Sequence, residues 1–250
     1  MFKELEDLIK NNLTLEAKLL LTNSKLILSN IVVNMPEHDD VNYTRNKVYE
    51  SESVEYFIHV IRPQGKTMIH SHGVGEVGIM PLNKDLYYDN YNVTQKNGMT
   101  YKCNLSSGKI KAGDLYYKDN GIDLIHRVYN KSSELVKFFE VYKKPYDRLP
   151  LYVSDFSHNY LIPLSFSKYG FQVNLDFVSQ IKNSATRIYQ IKSMVFKDKY
   201  LNFITRKYHI LSSDGRLIIN LIQLDEFLLS FCTDDLKIYV YMDIILINLV

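Results

Sequence analysis

A chain of 250 residues with 30 basic and 28 acidic side chains, a formal net charge of +2, has no broad field to gather nucleic acid or an anionic membrane. At that length it can bury a sizeable core, and one domain with an appendage fits better than two full domains. Its two cysteines, Cys103 and Cys232, stand in unrelated contexts, which excludes a disulfide framework and a thiolate metal cluster and implies a reducing interior.

The opening stretch, Met1-Phe2-Lys3-Glu4-Leu5-Glu6-Asp7, is acidic and lacks the basic-then-apolar order of a secretory signal, so a cytoplasmic location is expected. From Phe2 to about Ile31, apolar residues at Leu5, Leu8, Ile9, Leu13, Leu15, Leu19 and Leu20 recur at approximately helical spacing and predict one or two scaffold helices. From Tyr43 onward the pattern changes to short β-rich runs: Val54–His59, Thr67–Ile69, Val77–Met80, Asp85–Tyr91, Met99–Leu105, Asp114–Tyr117 and Leu135–Tyr142. Gly, Pro, Asn and Ser punctuate them, the signature of antiparallel strands in a sandwich or small barrel.

Strand character continues past Lys143-Lys144-Pro145-Tyr146-Asp147 to about Val173. Beyond Asn174, Phe177–Ile191 reads as helix and Ile210–Leu224 and Lys237–Leu249 as strands, a small subdomain expected to pack on the barrel. The apolar stretch from Ile238 to Val250 is shorter than the roughly 20 residues of a bilayer span and contains Asp243, so it is read as core strand.

Residues 65 to 76 read G-K-T-M-I-H-S-H-G-V-G-E, with His70 and His72 separated by one residue. Alternate side chains of a strand share a face, so an H-x-H pair aims two imidazoles into one interior. A third histidine lies in Gly113-Asp114…Gly121-Ile122-Asp123-Leu124-Ile125-His126-Arg127-Val128-Tyr129-Asn130, on a further strand that antiparallel pairing can bring beside the first two. The two stretches resemble the paired motifs of cupins, G-x(n)-H-x-H-x(3,4)-E and G…H-x3-N, with a small departure in the first glycine spacing. The resemblance implies a mainly β, cupin-type barrel (a double-stranded β-helix) with N-terminal helices and a C-terminal extension. It implies one metal on His70, His72 and His126, with Glu76 the candidate fourth ligand. His59 lacks a partner motif and is read as structural, and His38, His158 and His209 offer no ligand spacing. Imidazole suits iron, zinc, copper and nickel alike, so the ligands do not choose the metal.

Tyr43-Thr44-Arg45-Asn46 stands upstream of the first motif, and Val141-Tyr142-Lys143-Lys144-Pro145-Tyr146-Asp147 follows the second. With the histidines these landmarks resemble cysteine dioxygenases: a Y-x-R-N string, the H-x-H, a G-L-H-R-V-x-N string, then a tyrosine just before a P-[FY]-D turn. Ser165-Phe166-Ser167-Lys168-Tyr169-Gly170 resembles the end of that family's barrel, so the similarity covers residues 1–172 and leaves 173–250 as an extension. The resemblance implies Fe(II) on His70, His72 and His126, a small carboxylated thiol and dioxygen as substrates, and a sulfinic acid as product. It places Arg45 on the substrate carboxylate with Tyr43 beside it, and makes Tyr142 the active-site tyrosine. A guanidinium fork matches a carboxylate bidentately, and a phenol can donate to a substrate oxygen.

Two departures bear on that assignment. The family's serine-x-histidine-x-tyrosine strand becomes Phe138-Phe139-Glu140-Val141-Tyr142, so its serine and histidine relay is missing from that strand, and no cysteine near Glu76 or Val77 can form a thioether with the tyrosine. Two other readings stay open: a cupin with a four-ligand metal site, either an isomerase or a non-thiol oxygenase, and a cupin that binds a small molecule without catalysis.

Overall fold

The computed structural model describes residues 1–11, 14–36, 42–72, 77–96, 100–118, 125–143, 150–154, 159–167, 170–192, 209–212, 214–218, 235–241 and 244–249. Glu76, the turn 144–147, His38, His158, Lys168, Tyr169 and Cys232 lie outside the described residues. The chain divides into two compact units, residues 1–92 with 105–149, and residues 93–104 with 150–250.

In the first unit, helices α1 (Phe2–Lys10) and α2 (Thr14–Ser29) precede the strands β1 (Tyr43–Glu50), β2 (Val54–Ile61), β3 (Ile69–Ser71), β4 (Val77–Pro81), β5 (Leu86–Lys96), β6 (Tyr101–Ile110), β7 (Tyr116–Lys118), β8 (Ile125–Tyr129) and β9 (Val136–Lys143), with residues 93–96 of β5 and 101–104 of β6 counted in the second unit. One sheet runs β1-β2-β9-β4-β7, and β3-β8-β5-β6 are consecutive neighbours in a second. The pairings β1–β2, β2–β9, β4–β9, β4–β7, β3–β8 and β5–β8 are all antiparallel. This is the mainly β architecture with N-terminal helices that the motifs imply. Strand β1 was absent from the predicted runs because its sequence is polar; its pairing from Tyr43↔Ile61 to Glu50↔Glu55 with the wholly buried β2 makes it a strand.

Strand β2 is buried on both faces, and its period of two divides two cores. Val54, Tyr56 and Ile58 point outward with Met80, Phe139 and Val141, where Leu5, Ile9, Ala17, Leu21 and Leu28 of the helices cover them. Phe57 and Ile61 point inward with Ile79, Val136, Phe138 and Tyr142, and meet Leu86, Ile110 and Val128 from the second sheet. Each such side chain contributes roughly 1.5–3 kcal/mol on burial, so the two cores hold the sheet from both sides. Helix α2 uses the face Ala17, Leu21, Ser24 and Leu28, while Leu15 and Leu19 of the predicted stripe are exposed.

On the helix side, the buried Glu6 carboxylate receives Lys10 Nζ at 2.7 Å, Lys3 Nζ at 3.1 Å, the Tyr49 hydroxyl at 2.7 Å and the Ser51 hydroxyl at 2.8 Å. Lys10 above all, then Tyr49, holds its carboxyl well below the usual range against the effect of burial. Gly113 has φ +93°, a conformation that side chains with a Cβ rarely adopt, and its N–H donates to Pro81 O at 2.8 Å.

In the second unit, β10 (Leu151–Ser154) pairs with β11 (Tyr160–Ser167), which also pairs with β12 (Gly170–Gln172) and with Tyr101 and Lys102. Helix α3 (Leu175–Ser184) follows, its first turn capped by Asn174 Oδ1, which accepts the Asp176 N–H. A five-stranded sheet then runs in the order β13 (Arg187–Lys192), β16 (Asp235–Tyr241), β17 (Ile244–Leu249), β14 (His209–Ser212), β15 (Leu217–Ile218).

Two expectations for this region are corrected. The predicted helix Phe177–Ile191 stops at Ser184, and β-branched or aromatic Ile188, Tyr189 and Ile191 belong to strand β13, paired with β16. The predicted single strand Lys237–Leu249 is an antiparallel pair, β16 with β17. Among the described residues no helix is long and apolar enough to cross a membrane.

Candidate metal centre

Strand register assembles the histidines. His70 on β3 is the direct cross-strand partner of His126 on β8, and His72, two positions on from His70, returns to the same face. The three rings lie with centroids 4.7 Å apart in every pairing, and one ring nitrogen from each falls within 4.8 Å of the others. His72 and His126 are 1% exposed and His70 9%, so the cluster is shut away from bulk water.

The donor chemistry fits a cation. His70 Nδ1 donates to Met68 O at 2.8 Å, which leaves its Nε2 lone pair for the cavity. His72 Nε2 and His126 Nε2 stand 2.6 Å apart, so at least one presents a lone pair. Burial pushes the His70 imidazolium below its usual range, and burial reinforced by His70 and His126 pushes that of His72 well below it. Neutral imidazole is the ligating form. Nitrogen ligands at about 2.0–2.1 Å from an ion span at most about 4.2 Å, close to the spread of this cluster.

The first sheet supplies the facing wall. Tyr142 on β9 is 3% exposed, with its ring centroid 5.0 Å from that of His72. Arg45 on β1 is exposed, its guanidinium carbon 3.8 Å above the Phe57 ring and 5.0 Å from the Tyr142 ring. Tyr43, half-buried, stacks on His59 with centroids 6.3 Å apart, and burial raises its hydroxyl above the usual range. The expected residues His70, His72, His126, Arg45, Tyr43 and Tyr142 are thus gathered on facing walls of one barrel.

His59 and Glu140 join them. His59 Nε2 lies 2.7 Å from Glu140 Oε2, and the same oxygen accepts the Tyr142 hydroxyl at 2.7 Å. Among the described residues neither His59 nitrogen has an aligned hydrogen-bond partner, so the His59–Glu140 approach is a close contact rather than a bond along an N–H axis. Burial alone would push the Glu140 carboxyl up; His59, then His72 and the Tyr142 hydroxyl outweigh it and hold it well below the usual range. His59, read as structural from sequence, therefore stands on the inward face of β2 against Glu140. The signal was available in the alternation: Phe57, His59 and Ile61 share one face of β2, and Phe138, Glu140 and Tyr142 share one face of β9.

Two other motif residues serve the scaffold. Arg127 points to the opposite face from His126, where its Nε donates to Asp89 Oδ2 at 2.7 Å beside the Ser107 hydroxyl. Asn130 pins the turn after β8, donating to Ile61 O, Arg62 O and Glu134 O and accepting from Ser132.

No family model matches the chain, and no curated protein matches it. Solved structures match over part of it. A cupin domain from Bordetella pertussis is 19% identical over 46% of this chain and 100% of its own, with a TM-score of 0.31. A conserved protein with a double-stranded β-helix domain from Klebsiella pneumoniae is 18% identical over 46% of this chain and 89% of its own, TM-score 0.34. The cupin domain of an XRE family transcriptional regulator from Enterobacter cloacae is 13% identical over 42% of this chain and 99% of its own, TM-score 0.32.

Proposed function

We propose that this chain is an iron-dependent thiol dioxygenase of the cupin superfamily, similar to cysteine dioxygenases, that converts cysteine or a similar small carboxylated thiol to its sulfinic acid. The observation that carries the reading is the buried cluster of His70, His72 and His126 with the Arg45 guanidinium on the facing wall. The reaction balances as R–SH plus O2 giving R–SO2H, with sulfur oxidised and both oxygen atoms retained.

A bound redox metal would supply electrons to dioxygen and hold the thiol sulfur as its thiolate. His70, His72 and His126 would hold that metal, and as neutral ligands they leave its positive charge undiminished for an anionic sulfur. Arg45 would bind the substrate carboxylate bidentately, its guanidinium kept in place by the Phe57 and Tyr142 faces. Fixing the carboxylate orients the sulfur and removes part of the entropic barrier. Tyr142 would complete the pocket beside His72.

The reading is tested by loading the chain with ferrous iron without oxygen, then measuring oxygen uptake and products with cysteine, 3-mercaptopropionate and cysteamine. Sulfinate formed in step with oxygen consumed is expected. Metal retention without oxygen uptake on any thiol would sink it in favour of a small-molecule-binding cupin or of the four-ligand reading that turns on Glu76.

A further inference from the structure

Strand β9 places Phe138, Glu140 and Tyr142 on the cavity face, and Glu140 is a buried carboxylate between two rings. Its Oε2 is met from two sides, by the Tyr142 hydroxyl and by His59 Nε2, each at 2.7 Å. The imidazole comes from the neighbouring strand. His59 is the register partner of Phe138, its ring lying nearly parallel to that of Phe138 at 9° and 4.6 Å, with Tyr43 stacked at 6.3 Å. Glu140 is register-paired with Phe57 on one side and Ile79 on the other, so its backbone sits in the middle of the sheet with little freedom to shift.

A phenol carries one hydrogen. Here that hydrogen lies between the Tyr142 oxygen and Glu140, in a buried charge-assisted bond, the strong class of hydrogen bond. Beyond that bond the Tyr142 oxygen has only lone pairs to offer. The resemblance implied the reverse, a phenol that donates to substrate.

We infer that Glu140, braced by His59, is the positioning residue of Tyr142: it takes the phenol hydrogen and turns the tyrosine into a hydrogen-bond acceptor beside the three histidines. A relay expected along one strand is thereby rebuilt across two, with a carboxylate at its centre and the imidazole supplied by β2. The inference rests on the proposed function only for the group that approaches the Tyr142 oxygen, which must bring its own hydrogen, as an amine of the substrate does.

The test is a double-mutant cycle of Glu140→Gln, Tyr142→Phe and the double variant, read twice. In urea unfolding of the metal-free protein, each single substitution should lower the folding equilibrium constant about ten- to hundredfold, and the double variant little further than the worse single. Losses that multiply would mean the two groups act independently and would overturn the inference, whatever the chain turns over. In the iron-loaded protein with cysteine, kcat should fall by one common factor in all three variants, with KM and iron content little changed. Wild-type kcat in Glu140→Gln would also overturn it. If the unsubstituted chain oxidises no thiol, the proposed function fails and the urea cycle still decides this inference. Should Glu140→Gln not fold, Glu140→Asp keeps the charge but withdraws the oxygen by one methylene; it should lower kcat, and an unchanged kcat would overturn the inference.

Discussion

Two buried carboxylates hold opposite faces of the same structure, and they differ in how completely they are satisfied. Glu6, on the helix side, is surrounded by two ammonium groups of α1 and by two hydroxyls that tie α1 to β1 and the turn after it. Glu140, inside the barrel, shares one oxygen between the Tyr142 hydroxyl and His59, which, like His72 Nδ1, has no hydrogen-bond partner among the described residues. A carboxylate fully met by donors on a surface seam is a clasp. One that meets the Tyr142 hydroxyl and His59 on the inward face stands beside the histidine cluster instead.

The comparison can be broken most severely at the histidines. His70→Ala and His126→Ala should each abolish stoichiometric metal binding, since loss of even an outer-shell partner costs about 10- to 100-fold in affinity and a ligand costs more. Metal analysis after gel filtration checks this. Two folded variants that retain one metal per chain would show that the cluster is not the site.

The next largest effect is expected at the mouth. Arg45→Ala removes a charge-assisted contact of about 1.5–3 kcal/mol and should weaken binding of a carboxylated thiol roughly 10- to 150-fold. Affinity for its decarboxylated analogue should be unchanged. Calorimetry of both ligands on the metal-loaded protein distinguishes the two, and equal losses for both would remove Arg45 from carboxylate recognition.

On the helix side, Glu6→Gln should lower stability by about 1–3 kcal/mol without altering metal content, which would mark Glu6 as structural. The pH dependence has a definite sign. Glu6 is held below its unfolded value of about 4.5, so its stabilisation is complete above that pH and is lost as pH falls through and beyond it. Urea midpoints measured downward from neutral pH should therefore fall more steeply in the wild type than in Glu6→Gln. Glu140, also held low, leaves both proteins some acid sensitivity.

The smallest effect belongs to a turn. Gly113→Ala forces a Cβ into φ +93° and should cost about 1 kcal/mol, with metal binding intact. Thermal unfolding reads it, and an unchanged transition would show that the turn relaxes freely.

Much of the barrel and its histidine face was legible because both depend on short-range periodicity. An H-x-H on a strand must point two imidazoles the same way, and the apolar alternation of Val54–Ile61 and Val136–Lys143 declares strands whatever they pair with. Helix α1 was equally legible from Leu5 and Ile9. Past Asn174 the residues carry weaker periodicity, and there the reading ran α3 into β13 and fused β16 with β17, because propensity in a short apolar stretch does not say where a chain reverses.

What the sequence determined by itself was therefore the kind of elements and which side chains share a face: His70 with His72 in the H-x-H, His59 with Phe57, and Tyr142 with Glu140 at the end of β9. What only the tertiary structure decided was which of those faces meet. Register sets His70 opposite His126 and His59 opposite Phe138, and a shift of one residue would turn either histidine to the other side of its sheet. The His59–Glu140–Tyr142 contact is invisible in the linear order for the same reason: its imidazole and its carboxylate lie on different strands, and strand pairing over that distance is fixed by two packed cores rather than by any local pattern.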